Sequence, residues 1–97
     1  MSVAERIPIS IPKEQVNGLS YPAGEVLMNQ DDIRKRRRDL ERAVMLGNVE
    51  KTKVRLIFED EGGLKYVETT IWSITDDRVI LKGDGSIPIR RVLQVVA

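Results

Sequence analysis

Ninety-seven residues, 41% of them hydrophobic and 32% charged, are enough for one globular domain with a modest core and too apolar for a disordered chain. The sequence has no Cys and no His, which excludes disulfides, thiolate nucleophiles, imidazole acid–base catalysis and the commonest metal ligands. Sixteen basic and fifteen acidic residues leave a net charge of +1, so no overall field points to nucleic acid.

Apolar stretches are interrupted every few residues, far short of the roughly 20 that a membrane-spanning helix needs. No basic-then-apolar leader is visible, and a cytoplasmic location is the expectation. Residues 1–29 are expected to form an extended arm with turns. Ile7, Ile9 and Ile11 alternate with Pro8, Ser10 and Pro12, which is strand periodicity broken by residues without an N–H. Pro8 and Pro12 share a parity, so the arm can pair along one edge only and then end a sheet. A loose extended tail is the alternative. Asn17-Gly18 and Tyr21-Pro22-Ala23-Gly24 are turn signals.

Residues 30–46 predict one helix. Asn29 suits the N-cap, and Asp31 and Asp32 suit the positive end of the helix dipole. Met28 and Ile33 occupy the two positions of a hydrophobic staple, and Gly47 is expected to stop the helix in a left-handed turn. Ile33, Leu40 and Val44 make a narrow apolar stripe at helical spacing. This segment holds six basic and four acidic residues, including the run Arg34-Lys35-Arg36-Arg37-Arg38.

From residue 51 the period becomes two. Val54, Leu56 and Phe58 begin a strand, Asp60-Glu61-Gly62-Gly63 turns it, and Leu64–Thr75 reads as one long second strand. Val79 and Leu81, then Ile87 and Ile89, then Val92, Leu93 and Val95 mark three more, the last two joined at Arg90-Arg91. The prediction is mainly β with one α-helix: the arm at 1–29, then a helix and five-stranded β-barrel over 30–97. Leu56, Phe58, Val67, Ile71, Val79, Leu81, Ile87, Ile89, Val92 and Val95 are the expected core.

Val79-Ile80-Leu81-Lys82 followed by Ser86-Ile87-Pro88-Ile89-Arg90-Arg91-Val92, after one helix and a long second strand, resembles the SH3-like and Sm-like small barrels. The resemblance covers residues 30–97 and implies a strongly bent five-stranded barrel. Where the Sm-type pattern keeps Arg-Gly, this chain has Arg90-Arg91, and no Gly lies between Leu64 and Thr75. The RNA-binding residues of that family are therefore not carried over. The whole chain also looks like a small uncharacterised bacterial family, which implies no chemistry.

Candidate sites follow. Arg34, Lys35, Arg38 and Arg42 share the helix face opposite the stripe, where like charges are not there for helix stability, and they suit phosphates or an acidic surface. A solvated, partly neutralised face is the plainer reading. Arg37, nearer the stripe, should snorkel or meet a barrel carboxylate. Tyr66 and Trp72 share a parity on the long strand and either face out, where aromatics beside cations stack bases, or are covered by the helix or arm. A bend near Thr69-Thr70 would turn Trp72 inward. Glu59-Asp60-Glu61 lacks the ligand spacing of a calcium loop and reads as a solvated turn, and Gly83-Asp84-Gly85-Ser86 as a strand turn. A Ser or Thr nucleophile would need Lys65 or Lys82 as base, so no enzyme, metal, cofactor, small-molecule substrate or membrane is expected. The expectation is a non-catalytic interaction module that binds a protein or itself through Ile7, Ile9, Ile11, Tyr66 and Trp72. The alternative is an RNA- or DNA-associated regulatory module using the basic helix.

Overall fold

The computed structural model describes residues 7–97. Among them the chain forms one long helix and seven strands in two sheets, a mixed α/β arrangement. In chain order these are β1 (Ile9–Ser10), a 3-10 helix (Lys13–Gly18), α1 (Gln30–Glu50), β2 (Val54–Asp60), β3 (Gly63–Thr69), β4 (Ile71–Ile74), β5 (Arg78–Leu81), β6 (Ser86–Pro88), a 3-10 turn (Ile89–Arg91) and β7 (Val92–Val96). One sheet has the order β1-β3-β2-β7 and the other β4-β5-β6, so the described strands do not close into one hydrogen-bonded barrel.

The long run Leu64–Thr75 is two strands, not one. It breaks at Thr70, leaving β2 as partner on one side of the break and taking β5 on the other. Thr69, Thr70 and Ile71 are consecutive buried residues, which no flat strand with alternating faces can provide. The Thr70 carbonyl accepts from Lys82 N–H at 2.9 Å, and its hydroxyl donates to Lys51 O at 3.4 Å, so the corner is pinned from both sides. Ile71 pairs with Leu81 and Ser73 with Ile80, which leaves Trp72 as the extra residue of a β-bulge. The bulge shifts the alternation: Ile71 is buried, Trp72 and Ser73 are exposed, and Ile74 packs on the core again.

Nine of the ten expected core residues are buried, and Val95 packs against them half-buried. Val16, Leu40, Ala43 and Val54 complete the cluster. Val16 is the instructive addition, because it belongs to the segment expected to be an arm. Residues 13–18 instead wind into a 3-10 helix that places Val16 in the core, while Asn17 brackets the Gly83–Gly85 turn. Its Oδ1 accepts from Ser86 N–H at 3.0 Å and its Nδ2 donates to Asp84 O. Tyr21 packs its ring on Phe58 and donates to Val16 O at 2.7 Å. Burial and the nearby Asp60 carboxylate push the Tyr21 phenol up to about 12.

β1 pairs in parallel with β3, and Ile11 N–H donates to Tyr66 O at 3.0 Å. The Ile N–H groups thus face β3, and the edge beyond carries Pro8 and Pro12.

Asn29 caps α1 by accepting from Asp31 and Asp32 N–H at 2.7 and 3.3 Å. No staple forms, since Met28 is 96% exposed. The helix also runs past Gly47 to Glu50, and Lys51 takes the left-handed position at φ 55°. Gly47 is buried inside the helix because β4 crosses there: a Cβ would lie 2.6 Å from Ile71 O and 2.9 Å from Thr70 Cγ2. Gly47→Ala should gain about 1 kcal/mol of helix propensity but lose about 1–3 kcal/mol to overpacking against backbone that has little room to move. A lowered thermal midpoint is expected; Gly18→Ala, with nothing within 4 Å of the new Cβ, should leave it unchanged.

Candidate functional site

Of the four cations predicted to share a helix face, two are engaged within the helix. Arg34 bonds to Asp31, and Lys35 meets Asp39 at 2.7 Å. Arg38 and Arg42 are exposed and carry no ion pair among the described residues. Further along the same face Met45 and Val49 are exposed too, so the row is not uniformly charged.

The buried arginine of the run is Arg36, not Arg37. Arg37 stays half-exposed and donates to the Thr75 carbonyl at 3.1 Å, with Glu41 of its own helix at 3.7 Å. Arg36 is only 6% exposed and grips Glu25 with both terminal nitrogens at 2.7 and 2.6 Å, while Nη1 also donates to Val92 O at 3.0 Å. Burial works against the Glu25 carboxylate, but the Arg36 hydrogen bonds and the Leu27 and Val26 N–H groups outweigh it and hold its pKa below the ordinary 4.5. Arg91, also buried, reaches Gly24 O at 2.9 Å and Glu59 O and Oε1 at 3.0 and 3.1 Å. Arg90 Nε donates to Pro22 O at 3.3 Å, and its carbonyl accepts from Val26 N–H. Residues 20–27 are thus a strap tied down by three arginines. These side chains hold the fold together and are not free for a partner.

Asp60, expected in a solvated turn, is buried and pairs with Lys65 at 2.7 Å while accepting from Gly62 N–H. This also occupies Lys65. The described residues hold no cluster of His, Cys, Asp or Glu suited to a metal ion.

Tyr66 and Trp72 are not brought together. Tyr66 lies half-buried on the outer face of β3, with the Arg55 guanidinium 4.3 Å above its ring. Trp72 sits on the other sheet, 45% exposed, turned out by its bulge and not inward by the bend. It lines an open cleft of about 200 Å³ with Gly47, Asn48, Lys51, Thr70 and Lys82. Lys51 and Lys82 are missing from the predicted site. Their signal was indirect: each lies beside a chain reversal that only the bend at Thr70 brings next to Trp72.

Ile7 and Ile9 are exposed, whereas Ile11 packs on the core. A second surface lies along β7, which has β2 as its only strand neighbour among the described residues. Its other side faces α1 across a groove that runs from Leu27 and Gln94 to Leu46 and Ala97, with Lys35, Asp39 and Arg42 on its walls.

No helix among the described residues is long and apolar enough to cross a membrane. No family model, curated protein or solved structure matches the chain.

Proposed function

We propose that the chain is a non-catalytic interaction module on a small SH3-like barrel, and that it self-assembles by pairing β7 with β7 of a second copy. The barrel reading is supported by the order of elements: a strand pair that continues through a corner into a second sheet, and a 3-10 turn joining the last two strands. The observation that carries the assembly reading is the contrast between sheet edges. β1 is blunted by Pro8 and Pro12, β4 is crossed by α1 at Gly47, and β6 is blunted by Pro88 and by Asn17 accepting from Ser86 N–H. β7, Val92-Leu93-Gln94-Val95-Val96, carries no charge and no proline; Arg36 of α1 bonds to its first carbonyl, at Val92, while Gln94 and Val96 stay exposed, Val96 at 40%. Such a strand is self-complementary about a two-fold axis, where antiparallel pairing puts Gln94 against Gln94 and apolar residues against one another.

Sedimentation tests this reading. Wild-type protein should form dimers at micromolar concentrations. Gln94→Lys, changing an exposed side chain, should place like charges at the axis and give a folded monomer whose thermal transition, unlike that of wild type, does not rise with protein concentration. A wild-type chain that remains monomeric at high micromolar concentration, or a Gln94→Lys variant that still dimerises, overturns it.

A further inference from the structure

We propose that the cleft where the end of α1 crosses β4 binds single-stranded nucleic acid, with one base stacked on Trp72 and the flanking phosphates held by Lys51 and Lys82. This goes beyond the pairing of β7 and uses none of its residues.

Three observations converge there. The first is the tryptophan. Of the four aromatic residues, Phe58 is buried, Tyr21 packs on it and Tyr66 lies under Arg55, whereas Trp72 has no ring or cation partner among the described residues. A β-bulge directs it outward, and bulges re-aim side chains in this way beside functional sites.

The second is charge. Both lysines that line the cleft are exposed and carry no ion pair among the described residues, and no carboxylate lines it. Lys51 is held in the left-handed conformation, which costs a side chain energy that glycine avoids. That turn sets Lys51 on the wall of the cleft. Lys82 is fixed on the other side by its N–H bond to Thr70 O.

The third is size. At about 200 Å³ the cleft is smaller than the roughly 300–1,000 Å³ that encloses a drug-sized ligand. It suits one flat ring whose attached chain continues across the surface. Positive charge with an exposed aromatic is the combination by which single strands are held without strict sequence readout. Asn48, exposed on the cleft wall, is the side chain placed to touch a base edge. Duplex DNA would keep its bases stacked away from Trp72.

Trp72 is the only tryptophan, so its emission reports on this cleft alone. Titration with oligo(dT) or oligo(U) at low salt should quench it to saturation, and the affinity should fall with salt at a log–log slope of about −1.4, for two phosphate contacts on a single strand. Inorganic polyphosphate, charged but without bases, should not quench. In anisotropy measurements with labelled oligonucleotide, Trp72→Ala should weaken binding by roughly tenfold, and Trp72→Phe should restore part of it. Lys51→Gly should weaken binding while the fold is kept or stabilised, because glycine accepts the left-handed position. Absence of quenching by both oligonucleotides overturns the proposal. So does equal affinity for polyphosphate or duplex, or a Trp72→Ala variant that binds like wild type.

Discussion

Phe58→Ala should cost about 3–5 kcal/mol of folding stability, a large part of the roughly 5–15 kcal/mol that a domain of this kind holds. Phe58 lies at the centre of the four-stranded sheet, opposite Lys65 on β3 and Val92 on β7, and is fully buried. Strands on both sides fix the backbone around it, so the space left by the ring cannot collapse easily. The ring also supports Tyr21, its centroid 6.2 Å away. Truncation should therefore loosen the strap: the Glu61 amide, bonded to Ser20 O at 2.8 Å, should lose protection from hydrogen exchange beyond the general fall in stability. A urea midpoint equal to that of wild type would remove Phe58 from the core and the β2 register with it.

The Arg36–Glu25 pair should respond asymmetrically to truncation. Glu25→Ala strands a buried guanidinium with Val92 O as its remaining acceptor and should cost about 3–5 kcal/mol. Arg36→Met removes the buried charge itself and leaves Glu25, already partly exposed, to return to water, so its cost should be smaller. The same pair makes stability depend on pH. Because the folded carboxyl lies below its ordinary 4.5, its contribution is complete above about pH 4.5 and is lost as the pH falls through the lower folded value. Urea midpoints measured across that window should decline for wild type, and less steeply for Glu25→Gln. Equal slopes would mean that the pair is not formed in solution.

The strands and core were legible in the sequence because alternation is a direct print of sheet burial: Val54, Leu56, Phe58 and Val67 point inward as their parity requires. The Asn29 cap was equally plain. A bend near Thr69-Thr70 was expected only as one that would turn Trp72 inward; that it divides the run between two sheets was not legible, since a strand entering two sheets and a strand staying in one share the same β-branched composition. Gly47 misled for a physical reason. A glycine near a helix end usually supplies positive φ, but here it gives way to Ile71 O, a contact that local sequence cannot reveal. That error carried another. With Ala43 and Gly47 included, the buried face of α1 turns by a fraction of the about 100° between residues, enough to bring in Arg36 and leave Arg37 at the margin. The cleft at Trp72 was half-visible: the aromatic was a candidate from its parity, but its two lysines came from segments that only the three-dimensional corner joins.

The strap also sets an order of events during synthesis. Two of its three arginine anchors are far away in sequence: Arg91 bonds to Gly24 O across 67 residues and Arg90 to Pro22 O across 68. A ribosome makes residues 22–24 long before it makes Arg90 and Arg91. Val16 likewise waits for the Gly83–Gly85 turn before it has a place to bury. Contacts of such range are entropically costly to close and form slowly. The nascent chain can wind α1 and tie Glu25 to Arg36 early, but residues 22–24 wait for Arg90 and Arg91. A stalled product ending before Arg90 would therefore leave that stretch of the strap open to chaperones and proteases, whatever the quality of the strands already made.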